Sequence, residues 1–227
     1  MIDSLVALVE ERLRDDARCP FVIGITGGVA VGKSTLARQL ANALVVSSEI
    51  LSTDAFLLSN DVLTAHDLFM RNGYPETYDL DALNRALDAL RDGATSVNVP
   101  VYSHEIYDVV AGAHAVLPRA DVVIVEGLPA LRIPVDLGVY VHADEALLVE
   151  WYSQRFIELC DAGREDPTSF FHRFAAVPSH DVPELARSVW DAVNGPNLRE
   201  NVLPLRERAD VVVVKGPDHA VLNVSVR

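Results

Sequence analysis

A glycine-rich stretch, Gly27 to Ser34, carries the clearest chemical signal in this chain of 227 residues. Its sequence, GGVAVGKS, fits the pattern G-x-x-x-x-G-K-[ST], with an apolar run before it and a helical pattern after it. In that pattern backbone N–H groups turn inward around phosphate oxygens, and the helix N-terminus adds partial positive charge. Lys33 then supplies a compact cation for the β- and γ-phosphates of a nucleotide, and the hydroxyl of Ser34 is a ligand for Mg²⁺. The motif therefore predicts a nucleotide-binding site.

Two carboxylates stand at the ends of other predicted strands. Asp54 follows the strand Val45 to Thr53, and Glu126 closes the apolar strand that begins at Asp121. At the carboxyl edge of a parallel sheet, both would face the crevice that holds the phosphate loop. A carboxylate there can accept a hydroxyl proton or hold a metal ion, although Asp54 could instead cap a helix and Glu126 could be a cap or a solvated charge. Two such acids facing one phosphate loop favour phosphoryl transfer.

The elements that must position these residues alternate between strands and helices, which predicts an α/β fold with a mostly parallel, doubly wound sheet flanked by helices. The predicted strands are Phe21 to Thr26, Val45 to Thr53, Val97 to Val101 at an edge, Asp121 to Glu126, Val139 to His142, Val211 to Val214 and Val221 to Val226. The predicted helices are 1–18, Lys33 to Ala43, Asp79 to Arg91, Asp144 to Ala162, 167–176 and 183–194. Because no repeat or linker divides the chain, we predict one domain over 1–227, with an N-terminal helix in 1–19 and a catalytic core in 20–227.

Composition excludes several other classes of protein. Half of the residues are hydrophobic, too many for a disordered chain, yet no apolar stretch reaches the roughly 18 residues of a membrane span. The N-terminus lacks the basic start of a signal peptide, and Cys19 and Cys160 are too few for a disulfide framework or a zinc site, so we expect them to be structural. A net charge of −14 disfavours nucleic acid and anionic membranes as partners. We therefore expect a cytoplasmic protein with no membrane and no nucleic-acid partner.

Arginine greatly outnumbers lysine among the basic residues. Seventeen of the 19 are arginine, which leaves Lys33 and Lys215 as the two lysines. Neither lysine follows an asparagine, so the Asn-Lys-x-Asp sequence with which GTPases read guanine is missing. A signalling GTPase is therefore disfavoured.

Seven segments of the chain occur in a characteristic order. They are GGVAVGKST at 27–35, STDAF at 52–56, YPETYD at 74–79, VYSHEIYD at 101–108, EGL at 126–128, WYSQRF at 151–156 and NLRENVLPLRERA at 197–209. In this order they resemble the bacterial type I pantothenate kinases, within the phosphoribulokinase/uridine kinase group of P-loop kinases. The resemblance runs from about Phe21 to the C-terminus, and VYSHEIYD and WYSQRF are its most specific parts.

The resemblance implies a P-loop kinase that phosphorylates the primary hydroxyl of pantothenate, the first step of coenzyme A biosynthesis. ATP would be the co-substrate and Mg²⁺ the cofactor. Asp54 would be the catalytic carboxylate, with Lys33 and Arg155 acting on the transferring phosphoryl group. Ser34 and Glu126 would serve the metal ion.

The resemblance also implies two sets of binding residues. Those for the nucleotide are Gly27, Gly28, Val29, Ala30, Val31, Gly32, Lys33, Ser34, Thr35 and His219. Those for pantothenate are Tyr102, His104, Tyr107, Tyr152 and Asn197. Pantothenate presents a hydroxyl, an amide and a carboxylate, which such side chains suit, although each tyrosine could instead belong to the core. Tyr152 and Arg155 are three residues apart on a predicted helix, so both can face one pocket.

Departures from the family's pattern leave the acceptor open. Met70 to Asn72 replaces a lysine-rich run, Pro129 replaces an asparagine after Glu-Gly-Leu, and the stretch from Leu131 to Val139 is short. One alternative is therefore a kinase of the same fold that acts on a nucleoside, a sugar or glycerate. Another is an ATP-binding regulatory protein without an acceptor. Assembly as a homodimer is also left open.

Overall fold

The computed structural model describes residues 2–15 and 18–227. The strands are β1 (Phe21–Gly27), β2 (Ser48–Ser52), β3 (Ser96–Ser103), β4 (Asp108–Pro118), β5 (Val122–Glu126), β6 (Leu137–His142), β7 (Val211–Lys215) and β8 (Val221–Val226). The helices are α1 (Ile2–Asp15), α2 (Lys33–Ala43), α3 (Asn60–Ala65), α4 (Leu80–Arg91), α5 (Glu145–Gly163), α6 (Val182–Val189) and the single turn α7 (Gly195–Asn197). Residues 1, 16 and 17 of the helix predicted over 1–18 lie outside the described residues.

The central sheet has six strands in the order β2-β5-β1-β6-β7-β8. All neighbouring pairs are parallel except β7 and β8, which are antiparallel. This confirms the prediction of a mostly parallel sheet flanked by helices. Because the parallel strands share one direction, the residues at their carboxyl ends lie along one edge.

Both faces of the sheet are buried. Ile23 of β1 and Ile124 of β5 belong to a core cluster shared with α1, α2 and residues 190–209. The intervening residues, such as Val123, belong to a second cluster shared with α4 and the β3–β4 hairpin. Alternate residues of a strand point to opposite faces, so an unbroken apolar run is what a sheet covered on both sides requires.

The predicted strand Val97 to Val101 is longer than expected and belongs to a separate two-stranded sheet rather than to the edge of the main sheet. Its partner β4 was not predicted. The residues of β4, DVVAGAHAVLP, are mostly partly or fully exposed and lack a clear apolar alternation, so the sequence signal for a strand is weak. The pairing shifts register after Pro100, which a strand away from the central sheet can tolerate.

Two predicted helices also need correction. Residues 167–176 contain only a short 3-10 helix, Phe170–Phe174, which its aromatic packing holds in place. The helix predicted over 183–194 starts at Val182 and continues as π-helical and 3-10 turns to Arg208. Of the helices in the described ranges, none is long and apolar enough to cross a membrane.

Candidate active site

The phosphate loop connects β1 to α2 at the carboxyl edge of the sheet. Gly27 has φ 150°, and a Cβ there would lie 2.3 Å from the carbonyl oxygen of Val141, so the strand end has room only for glycine. Gly32 is in the left-handed region with φ 88° and precedes α2 with no side chain capping the helix. The first N–H groups of α2 are thus free of a cap, as an anion-binding helix start requires.

The structure brings the predicted loop residues together around one turn. They are Gly27, Gly28, Val29, Ala30, Val31, Gly32, Lys33, Ser34 and Thr35. The Lys33 side chain folds back over this turn, and its ammonium group donates hydrogen bonds to the carbonyl oxygens of Gly27 and Gly28, at 3.2 and 3.0 Å. Burial lowers the pKa of Lys33, while the negative charges of Glu126 and Asp54 raise it. Lys33 is therefore next to both predicted carboxylates.

Glu126 and Ser34 form the second part of the site. Glu126 is 7% exposed, and its carboxylate accepts a hydrogen bond of 3.0 Å from the Ser34 hydroxyl. Burial raises the pKa of Glu126, whereas the positive charge of Lys33 lowers it. Ser52, at the end of β2, is paired in register with Glu126. The adjacent strands β2 and β5 thus hold Ser52 and Glu126 at one edge of the sheet, next to Ser34 of α2. The position of Glu126 at this edge was predicted from the sequence.

The donor set suits Mg²⁺. Within residues 2–15 and 18–227, no group of three or more His, Cys, Asp or Glu side chains is arranged to hold a metal ion. Mg²⁺ needs no such group in kinases, because it binds one or two protein oxygens together with water and substrate phosphates. The Ser34 hydroxyl and the Glu126 carboxylate, 3.0 Å apart beside the phosphate loop, are oxygen ligands of that kind.

Asp54 lies just beyond β2, in the 3-10 turn Thr53–Phe56. The capping alternative for this residue is wrong, because Ser52 is the N-cap and its side chain accepts from the N–H of Asp54. In the described part of the chain, the Asp54 carboxylate has no hydrogen bond or ion pair. Its charge nevertheless acts on Lys33 and on three phenols, those of Tyr78, Tyr102 and Tyr107. The carboxylate is therefore unpaired and within electrostatic range of both a lysine and a tyrosine cluster.

Tyr102 and Tyr107 flank the turn of the β3–β4 hairpin. Their rings meet edge to face at 6.3 Å, and Tyr107 has a positive φ of 53° that turns the chain. Burial is the main reason that the pKa of both phenols is raised, and the negative charge of Asp54 adds to it. At neutral pH these phenols are hydrogen-bond donors beside the carboxylate.

His104 is exposed, whereas Asn197 is buried. The exposed His104 ring meets Tyr102 edge to face at 5.2 Å, at the mouth of the hairpin. Asn197 is buried, and its amide donates to the carbonyl oxygen of Gly73 at 2.8 Å and accepts from Asn201 at 3.1 Å. Asn197 thus fixes the chain around Gly73 and keeps one N–H for another partner.

Tyr152 and Arg155 occupy one side of α5, as their spacing predicted. The Tyr152 ring packs on Trp190 with centroids 5.6 Å apart. Burial raises the pKa of the Tyr152 phenol, whereas a hydrogen bond with Asn194 lowers it. The exposed Arg155 guanidinium influences both Lys33 and Tyr107. Arg155 is therefore within electrostatic range of both the phosphate loop and the tyrosine cluster.

His219 lies on the opposite side of the loop from that cluster. Its ring stacks on Trp151 with centroids 3.8 Å apart and a tilt of 24°. Burial and the neighbouring Lys215 lower the pKa of this imidazole. The stack gives the phosphate loop a flat aromatic flank.

Four residues of the site were not predicted from the sequence: Tyr78, Trp151, Asn194 and Lys215. Tyr78 and Trp151 belong to the motifs YPETYD and WYSQRF, and Lys215 is one of only two lysines and ends a parallel strand. Those signals could have identified three of them. Asn194 lies in a π-helical turn and had no such signal.

Comparison with known proteins shows the family of the chain. The Phosphoribulokinase / Uridine kinase family profile matches residues 22–159. A pantothenate kinase from Sorangium cellulosum is 47% identical over 230 residues, covering 94% of this chain and 75% of the relative. A pantothenate kinase from Cutibacterium acnes is 43% identical over 230 residues, covering 92% and 70%.

A solved structure shows the same fold. It is a kinase assigned to a fructose transport system in Silicibacter sp. TM1040, and it matches with a TM-score of 0.71 at 23% identity, covering 92% of this chain and 95% of that one. An identity this low shows the fold alone. The curated relatives are much more similar in sequence and confirm the resemblance found in the motifs: this chain belongs to the phosphoribulokinase/uridine kinase family of P-loop kinases and, within it, to the pantothenate kinases.

Proposed function

We propose that this protein transfers the γ-phosphoryl group of ATP to the primary hydroxyl of pantothenate. The observation that carries the proposal is the position of Asp54. Its carboxylate has no hydrogen bond or ion pair to the residues that the structure describes, and it lies near both Lys33 and the Tyr102–Tyr107 pair. A base in that position can serve a hydroxyl that enters beside the γ-phosphate. The pantothenate kinase relatives supply the identity of the acceptor.

The proposed step has a simple balance of bonds. The acceptor hydroxyl gives its proton to the Asp54 carboxylate, and its oxygen forms a bond to the γ-phosphorus. The bond from that phosphorus to the bridging oxygen breaks, and ADP leaves with the electron pair. Lys33 and Arg155 neutralise the negative charge on the phosphoryl oxygens during transfer.

Ser34 and Glu126 would hold Mg²⁺ with the phosphates of ATP. When bound, this ion neutralises charge on the β- and γ-phosphate oxygens. Burial raises the pKa of Glu126, but the Lys33 ammonium and the Ser34 hydroxyl act in the opposite direction and favour the ionised form that binds a metal ion.

The tyrosine cluster would bind the rest of the acceptor. The phenols of Tyr102, Tyr107 and Tyr152 are protonated at neutral pH, as ordinary tyrosines are, and burial raises their pKa further. They can therefore donate to the hydroxyl, amide and carboxylate oxygens of pantothenate. His104 and the remaining N–H of Asn197 extend this polar lining. We further propose that the reaction takes place in the cytoplasm, as the first step of coenzyme A biosynthesis.

An acceptor panel tests the proposal. ADP release from ATP and Mg²⁺ is measured with pantothenate, uridine, a sugar or glycerate, with Lys33→Ala as the blank. We expect pantothenate alone to stimulate release. Stimulation by another acceptor only would show that the departures at Met70 to Asn72 and Pro129 have changed the pocket. Binding of ATP without stimulation by any acceptor would favour a regulatory protein.

A further inference from the structure

The second lysine of the chain, Lys215, lies against the same loop as the first. It ends β7 at the carboxyl edge of the sheet, where β1 leads into the phosphate loop. A Cβ placed on Gly32 would be 2.6 Å from the Lys215 ammonium nitrogen and 3.7 Å from Nδ1 of His219. The ammonium group therefore occupies the space beside Gly32, on the side of the loop where His219 lies.

The environment of this ammonium group is unfavourable for a cation. Lys215 is only 6% exposed, and among the residues that the structure describes nothing forms a hydrogen bond or ion pair with its side chain. Lys33 is close enough to repel it, and burial together with this repulsion lowers the pKa of Lys215. A buried cation without a partner is costly, and a second cation nearby increases the cost.

The position of Lys215 indicates which anion would compensate for this cost. Lys33 is on the side of Glu126 and Asp54, where the γ-phosphate must react. Lys215 is on the other side of the loop, close to His219 and its stack with Trp151. A triphosphate laid along the loop would place its terminal groups at Lys33 and its first phosphate towards Lys215.

We propose that Lys215 is a nucleotide-binding residue whose ammonium group contacts the α-phosphate of ATP, the phosphate attached to the ribose. The inference extends the proposed function, because it rests on ATP lying along the 27–35 loop. It assigns the two lysines to opposite ends of the polyphosphate. A side chain at position 32 would require the Lys215 ammonium group to move away from the loop, since a Cβ there would lie 2.6 Å from it.

The test uses a series of ligands that differ in phosphate number. Dissociation constants for ATP, ADP, AMP and adenosine are measured by calorimetry, with competition against ADP for the weak ligands. Lys215→Met is expected to weaken the binding of ATP, ADP and AMP by about 10- to 100-fold, which is the contribution of a hydrogen bond to a charged group. The binding of adenosine should be unchanged. Lys33→Met is expected to weaken ATP and ADP but not AMP.

Two controls accompany the series. Arg227→Met removes the same charge from the exposed end of the β7–β8 pair, far from Lys215, and should leave all four constants unchanged. The ligand-free Lys215→Met protein should melt at the same or a higher temperature than the wild type, because an unpaired buried charge is gone. Lys215→Gln provides the same comparison if the Met variant does not fold.

Other results would overturn the inference. Equal weakening of adenosine and AMP, or a lower melting temperature without ligand, would make Lys215 a structural residue. Weakening of ATP and ADP with AMP unchanged would move the contact to the β-phosphate. If Lys33→Met leaves ADP binding intact, the proposed function itself fails, separately from any result at Lys215.

Discussion

The two halves of the active site are built in different ways. The phosphate side, comprising residues 27–35, 52–54, 126 and 215, is fixed by the hydrogen-bonded edge of the central sheet. The acceptor side, comprising residues 102–107, 152 and 169–174, is fixed by packing of aromatic rings. Charged groups crowd the phosphate side, whereas the acceptor side is largely apolar around its phenols. The difference indicates that the backbone holds the charges in place, while the rings that line the acceptor pocket also hold the fold together.

This difference predicts which variants lose activity alone and which lose stability as well. A substitution on the phosphate side should reduce activity and leave the fold as stable as before, or more so. A substitution in the rings of the acceptor side should reduce stability as well.

The largest effect is expected for Asp54→Asn. The amide keeps the shape of the side chain but cannot accept the hydroxyl proton, so kcat should fall by about 10²- to 10⁴-fold. ATP binding, measured by calorimetry, and the melting temperature should stay close to those of the wild type. Asp61→Asn, which changes an exposed acid at the start of α3, is the matched control and should retain full activity. Unchanged turnover in Asp54→Asn would remove this carboxylate from the mechanism.

Phe171→Ala should make the protein much less stable, because it removes a ring from the core of the acceptor side. Phe171 is 5% exposed and packs with Phe156, Cys160 and Val182 in a cluster that joins α5 to α6. Removing a buried phenyl ring from such a cluster costs about 3–5 kcal/mol. Denaturant unfolding measures this loss. A loss below about 1 kcal/mol would contradict the idea that the rings hold this half together.

Phe170→Ala should affect acceptor binding more than stability, because the ring of Phe170, next to Phe171 in the chain, is only partly buried. The Phe170 ring lies 4.7 Å from that of Tyr107, and such a pair is worth about 0.5–1.5 kcal/mol beyond burial. We expect the KM for the acceptor to rise by up to about tenfold, with a smaller loss of stability than in Phe171→Ala. Steady-state kinetics at saturating ATP would show this. An unchanged KM would place Tyr107 outside the acceptor pocket.

Glu126→Gln should make the protein more stable and less active. Burial raises the pKa of Glu126 in the folded state, so ionisation of this carboxylate destabilises the fold. The free energy of unfolding therefore falls as the pH rises through the folded pKa of Glu126. The neutral amide avoids this cost, and each kcal/mol gained raises the melting temperature by about 2–4 °C. The gain in stability over the wild type should be present near neutral pH, where Glu126 is ionised, and disappear in acid, where it is protonated. A less stable variant at neutral pH would show that the Ser34 and Lys33 contacts outweigh burial.

The phosphate side could be predicted from the sequence because its residues are either contiguous or follow predicted strands. The motif at 27–34 needs no knowledge of distant residues, and β2 and β5 are adjacent, which brings Asp54 close to Glu126. Lys215 follows the same rule, as a lysine at the end of a parallel strand. Only its contact with Gly32 required the structure.

The acceptor side could be predicted only through the resemblance of its motifs. Its geometry depends on contacts between segments far apart in the chain, such as the hydrogen bond from the N–H of Phe170 to the carbonyl oxygen of Glu105, at 2.8 Å. The strand β4 has little apolar alternation, and the segment 167–176 owes its 3-10 shape to ring packing rather than to helix propensity. Local patterns contain no information about such contacts.

Identification of the phosphorylated product tests the proposed function most directly. Pantothenate has a primary hydroxyl, a secondary hydroxyl and a carboxylate, and each would give a different phosphorus compound. Wild-type protein, ATP, Mg²⁺ and pantothenate should yield, besides the resonances of ADP, one new ³¹P resonance coupled to the two protons of a CH₂ group, with a mass gain of one phosphate on pantothenate. A resonance coupled to a single proton, an acyl phosphate that hydroxylamine cleaves, or no phosphorylated pantothenate would contradict the proposed reaction.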